Sequence, residues 1–112
     1  MTLKPEIRHV AELAAHKDQI ELAARAMKAI AHPLRLQILC VLGNEEASVQ
    51  DIVEAVGTSQ SNISQHLAIL REKDILRSRR EANRVFYSVS DHRTLKLIGM
   101  MREVFCGTRA RA

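Results

Sequence analysis

Three groups of residues in this sequence could carry chemistry. The first is Thr58-Ser-Gln-Ser-Asn-Ile-Ser-Gln-His-Leu-Ala68, a run free of Asp, Glu, Lys and Arg in a chain that is 27% charged. Short amides and hydroxyls of this kind suit the edges of base pairs. Gln and Asn can bond adenine bidentately, Ser can bond either type of edge, and Ala permits close approach. The second group is Arg77, Arg79, Arg80 and Arg84, gathered around Glu81-Ala82-Asn83; such cations neutralise phosphates and can enter a minor groove. The third is the cysteine pair, Cys40 and Cys106, neither of which belongs to a CxxC or other short metal spacing. A thiol is reactive where an electropositive setting favours the thiolate, and is otherwise a small inert apolar residue.

These groups need elements to hold them. From His9 to Ile30 the chain has no Gly or Pro and is dense in Ala, Leu, Glu and Lys, which predicts one long helix. His32-Pro33 ends it and starts a second helix from Pro33 to about Leu42, stopped by Gly43-Asn44. Leu34, Ile38, Val41 and Leu42 form one apolar stripe of that helix, and Leu36 and Cys40 a second, so it is expected to pack on two sides. Ser48 is the expected cap of a short helix over Val49–Val56, closed by Gly57, with a further helix from Ser59 to about Lys73. Two short helices around a tight Gly turn make a helix-turn-helix.

In that later helix, Ile63, Leu67 and Leu70 share the core-facing stripe, which turns Ser61, Ser64, Gln65 and Ala68 outward. Alternating texture over Ile75–Arg80 and Arg84–Val89 predicts a β-hairpin wing. Asp91 is positioned to start a last helix with apolar positions Leu95, Ile98, Met101, Val104 and Phe105. Beyond Cys106 the sequence has nothing to pack, so a frayed tail is expected. The second apolar stripe of the Pro33 helix is free to receive the first and last helices, which could bring Cys106 near Cys40; a direct bond would need Cα atoms about 4.4–6.8 Å apart.

The fold class is therefore mainly α with a β-hairpin wing, in one domain spanning 1–112. The candidate DNA-contacting residues are Gln60, Ser61, Asn62, Ser64, Gln65 and His66 from the helix and Arg79, Arg80 and Arg84 from the wing. A polar helix face can also be a solvated surface, and a charged hairpin a solvated edge. Surface helices ordinarily favour Glu and Lys, however, so an uncharged face beside a cationic hairpin favours double-stranded DNA. A pure protein-interaction module is the rival reading, separated by the strong salt dependence of phosphate contacts.

Composition fits this assignment. A length of 112 residues suits one domain, and a net charge of +4 with a pI near 9.5 suits a polyanionic partner. No apolar run is long enough to span a membrane, and Met1–Val10 lacks the apolar stretch of a secretion signal, which places the chain in the cytoplasm with its cysteines reduced. There is no Gly-rich phosphate loop, H-E-x-x-H or G-x-S-x-G, so no enzyme activity and no cofactor are expected. His9, His16, His32 and His66 show no mutual ligand spacing, and no metal site is expected.

Ser59-Gln60-Ser61-Asn62-Ile63-Ser64-Gln65-His66-Leu67-Ala68-Ile69-Leu70 resembles the recognition-helix signature of the ArsR/SmtB repressors. Ala31-His32-Pro33-Leu34-Arg35-Leu36-Gln37-Ile38-Leu39 resembles their second-helix signature. The likeness runs from about Met27 to Phe105. It implies a winged helix-turn-helix (α-α-α-α-β-β-α) that dimerises through its first and last helices, residues 9–30 and 91–106. Residues 48–73 would form the helix-turn-helix and 75–89 the wing. Such a homodimer binds an inverted-repeat operator and represses until an inducer releases it; an activator or antirepressor is compatible with the same motifs.

Where family members bind arsenic or lead through Cys-Val-Cys, this chain has Ser48-Val49-Gln50. Where others bind zinc in the last helix, Asp91 is matched by Arg93, Val104 and Gly107 rather than by ligands. The placement of Cys40 and Cys106 instead resembles the thiol- and persulfide-sensing branch of the family. That implies an oxidant or persulfide inducer that links the two sulfurs directly or through a polysulfide chain.

Overall fold

A computed structural model describes residues 4–107. Of the tail expected to fray beyond Cys106, Gly107 belongs to a closing π-helical turn, and Thr108 to Ala112 lie outside the described residues, as do the first three residues of the chain. The elements in chain order are α1 (Pro5–Leu13), α2 (Lys17–Ile30), α3 (Pro33–Leu42), β1 (Ala47–Ser48), α4 (Val49–Val56), α5 (Gln60–Glu72), β2 (Leu76–Glu81), β3 (Arg84–Val89) and α6 (Arg93–Arg102), which runs into a π-helical turn, Glu103–Gly107.

Proline opens two of these helices. Pro5 and Pro33 sit in the first turns of α1 and α3, where a missing N–H leaves no bond unmade. The single helix expected from His9 to Ile30 is in fact two. The N–H groups of Ala14, Ala15 and His16 donate to Ala11, Glu12 and Leu13 at 3.1, 3.1 and 2.9 Å, three residues back rather than four, and this tightening ends α1. His16 then takes a non-helical backbone, φ −115° and ψ 84°, before α2 begins.

Ser48 and Asp51 close a capping box at the start of α4, each side chain bonded to the other's N–H at 3.2 Å. Gly57 ends α4 at φ +85°, the left-handed region in which a Cβ is strained. Asp74 does the same for α5 at φ +59°. Ile75 there donates to the Leu70 carbonyl at 2.9 Å, the wrap-around bond that satisfies an end-of-helix acceptor.

The core lies where α3, α4, α5 and the sheet meet. Ile38 and Leu39 of α3, Ile52 of α4, Ile63, Leu67 and Leu70 of α5, and Leu76 of β2 are all buried, with Val89 of β3 and Ala29 of α2 at its margin. Full burial of such side chains contributes about 1.5–3 kcal/mol each, so this cluster fixes how α5 is presented. The sheet has the order β1-β3-β2, antiparallel throughout. β1 was not expected from sequence; it pairs Ala47 with Tyr87 and Ser48 with Phe86, binding the middle of the hairpin to the start of α4.

Candidate nucleic-acid interface

The start of α5 is built to present its polar face. Ser59 accepts the Asn62 N–H at 3.2 Å, and Ile63, Leu67 and Leu70 anchor the inner face with no exposed surface. Gln60, Ser61, Ser64, Gln65 and Ala68 consequently stand exposed on the outer side. Asn62 is half-buried, and its Nδ2 donates to Thr58 Oγ1 at 3.2 Å. His66 is also half-buried and engaged within the protein: its Nδ1 accepts from Arg35 Nε at 3.1 Å, and its ring lies 4.5 Å from that of His32. Burial foremost, then the charges of His32 and Arg35, hold its pKa below the ordinary imidazole value.

The wing arginines divide into committed and free. Arg79 Nε reaches Glu46 Oε2 at 2.8 Å, and its Nη1 reaches Glu81 at 2.7 Å. These hydrogen bonds hold the Glu46 carboxyl below its usual range and raise Arg79 further. Arg84 donates to Ser48 Oγ at 3.0 Å and stands 4.0 Å from Asp51. Both guanidiniums flank Phe86, 4.8 and 5.2 Å from its centroid, a cation–π arrangement that stiffens the hairpin. Arg80 is exposed and forms no ion pair with any described residue, which leaves it available for a phosphate.

Between the wing tip and the helix-turn-helix lies a groove of about 220 Å³ lined by Ser48, Val49, Gln50, Gln60, Asn83, Arg84 and Val85. Gln50 and Asn83 were not among the sequence-derived candidates. They join Gln60 and Arg84 here because β1 pairs with β3, a contact between segments distant in sequence. The only available sign was their type, an amide at each of two turn-adjacent positions.

Cys40 and Cys106 are free, exposed thiols, on α3 and in the turn that ends α6. Among the described residues no three His, Cys, Asp or Glu side chains gather as a metal site, and no helix is long and apolar enough to cross a membrane.

A helix-turn-helix followed by a β-hairpin, with an uncharged polar helix face beside cationic strands, defines a winged helix-turn-helix DNA-binding regulator. The sequence matches the family described as bacterial regulatory protein, arsR family, over residues 32–78. It is 38% identical over 96 residues to the HTH-type transcriptional regulator YgaV of Escherichia coli, covering 85% of this chain and 97% of that one. Among solved structures, reduced HlyU from Vibrio cholerae superposes with a TM-score of 0.72 at 37% identity, covering 80% of this chain and 95% of that one. A homodimeric winged helix-turn-helix domain from Mycobacterium bovis gives 0.71 at 30% identity, covering 79% and 82%. The chain belongs to the ArsR family of DNA-binding transcriptional regulators, and it is not an enzyme.

Proposed function

We propose that this chain is a homodimeric repressor of the cytoplasm, reading an inverted-repeat operator with α5 and released from it by oxidation or persulfidation of Cys40 and Cys106. The observation that carries the operator reading is the exposed face of Gln60, Ser61, Ser64 and Gln65, with Arg84 lining the groove beside Gln60 and Arg80 exposed on the wing. The other named candidates act from behind that face: Asn62 and His66 seat the helix, and Arg79 braces the wing.

Self-association has its own support. Of the large apolar side chains left exposed among the described residues, Ile7, Val10, Ile20, Leu22, Met27, Leu97, Met100, Met101, Val104 and Phe105 all belong to α1, α2, α6 and its terminal turn; Val41 alone does not. Apolar surface concentrated in this way marks an association face, and a second copy seated on it would place two α5 helices on successive major grooves about 34–36 Å apart. The homodimeric description of the Mycobacterium bovis relative fits this arrangement.

The two free thiols lie on α3 and in the turn that ends α6. Leu36, four residues before Cys40, lines an apolar cleft with Leu97, Ile98 and Met101 of α6, the helix that leads to Cys106. Peroxide would take two electrons and two protons from the thiol pair, giving a disulfide and two waters. A persulfide donor would pass its outer sulfur to one thiol and leave as its own thiol. Attack by the second cysteine then expels hydrogen sulfide; when both carry the extra sulfur, the same loss leaves a longer chain. Linking α3 to α6 would shift the two reading helices relative to one another. That one relative is described in its reduced form accords with a redox-responsive reading.

The test is anisotropy of a promoter duplex at fixed salt, with reduced and with peroxide- or persulfide-treated protein and intact mass recorded on the same samples. A reversible loss of affinity that tracks modification of both cysteines is expected. Cys40→Ser or Cys106→Ser should bind and fail to respond; a responsive double variant would overturn the thiol switch. Transcription in vitro from the same duplex should fall with reduced protein, and a rise would make the chain an activator.

A further inference from the structure

Arg35 ties three helices together. Its Nη1 donates to the Ala29 carbonyl at 2.9 Å and its Nε to His66 Nδ1 at 3.1 Å, so one rigid fork joins the end of α2, the start of α3 and the middle of α5. The Ala29 carbonyl belongs to the last turn of α2, whose acceptors have no partner within the helix. His32, three residues before Arg35, caps α3 by accepting the Leu34 N–H on its own Nδ1 at 3.2 Å. Its ring and that of His66 are 4.5 Å apart.

Both imidazoles therefore act as acceptors through Nδ1, which is possible only while that nitrogen carries no proton. We infer that Arg35, His32 and His66 form a positioning clamp that seats the recognition helix for DNA and holds only while both imidazoles are neutral. This inference rests on α5 being the reading helix.

Protonation of His66 removes Arg35's acceptor and sets a cation against a guanidinium; protonation of His32 removes the cap of α3. Arg25 and Lys28 of α2 and Lys73 after α5 line the same depression as Arg35; Arg25 is paired with Glu21 at 3.7 Å, and no carboxylate lines the depression itself. α4 and β2, which also pack on α5, contribute Ile52 and Leu76 to the shared core. The lowered pKa of His66, set by burial and then by the charges of His32 and Arg35, agrees with this environment. The Arg35–His66 bond of the clamp is intact above the ordinary histidine value of 6.5 and gives way as pH falls through the lowered value of His66.

This sign is distinctive. Protonating histidines near DNA should by charge alone tighten binding, whereas release of the clamp should weaken it. The experiment uses the full chain and a duplex selected from a random library at about pH 7.5, with anisotropy followed down to about pH 5. His66→Gln keeps a side-chain acceptor for Arg35 and cannot titrate.

Between these limits the wild type should lose on the order of tenfold more affinity than His66→Gln, equivalent to about 1.4 kcal/mol. Parallel pH profiles for the two proteins would overturn the clamp. Imidazole nitrogen NMR of the wild type supplies a second decision that needs neither variant nor DNA: both rings should be Nε2–H tautomers at about pH 7.5, and an Nδ1–H tautomer at His66 would overturn the clamp. Should Gln65→Ala leave affinity for the selected duplex unchanged, the assignment of α5 as reading helix fails instead, and the tautomers still decide whether the clamp exists.

Discussion

Arg84 donates to the hydroxyl of Ser48 at 3.0 Å, so a residue that leaves the wing tip holds the residue that caps α4. Ser48 is the one buried polar side chain among the described residues. It also completes the capping box with Asp51. Ser48→Ala should therefore remove the cap and the wing tie together, lowering stability by about 1–2 kcal/mol in urea unfolding. Arg84→Ala should leave the cap in place, lose less stability, and weaken DNA binding more than its stability change accounts for.

Arg79 and Arg80 are neighbours with different duties. Arg79 is held by Glu46 and Glu81, whereas Arg80 is unpaired with any described residue. Replacing Arg80 by Ala should flatten the slope of log affinity against log salt by about 0.9, the value of one phosphate contact. Arg79→Ala should change that slope less. Equal slope changes in the two variants would mean that Arg79 leaves its carboxylates on binding.

Two left-handed positions make opposite predictions. A Cβ at Gly57 would touch nothing within 4 Å, so Gly57→Ala should cost about 1 kcal/mol through backbone conformation alone. Asp74 occupies the same kind of position at φ +59°, and Asp74→Gly should stabilise by up to about 1 kcal/mol. Thermal midpoints of the two variants should shift in opposite directions.

Asp91 accepts from the Arg93 N–H at 2.9 Å and pairs with its guanidinium at 2.7 Å. The side-chain bonds to Arg93, then the backbone bond, hold its carboxyl down to about 2, against 3.8 ordinarily. Because the folded value is the lower one, the pair's support for the start of α6 is present above the ordinary value and is lost as pH falls through about 2. A carboxyl-carbon NMR titration should show this, and Arg93→Gln should return Asp91 toward the ordinary range.

The helix-turn-helix was legible because its signals are local. Ser48 and Gly57 bracket α4, and the spacing of Ile63, Leu67 and Leu70 gives the inner face of α5 directly. The break at Ala14–His16 left no such mark, since Ala is the strongest helix former and the turn contains neither Gly nor Pro. Strand β1 is two residues long and exists only through pairing with β3, so no periodicity could announce it. His66 was open to a better reading. It follows Ile63 by three residues and precedes Leu70 by four, a spacing that places it on the flank of the buried stripe, beside α3.

The order β1-β3-β2 leaves two open rims to the sheet. One, β1, is too short to template another strand. The other, β2, reads Leu-Arg-Ser-Arg-Arg-Glu, and two such cationic rims laid side by side would repel. Sheet-to-sheet polymerisation, the ordinary hazard of an uncovered strand, is thus discouraged at both rims. Among the described residues the sticky surface is confined to the helices and the turn that ends α6, and at high concentration the molecule should form bounded assemblies rather than fibres.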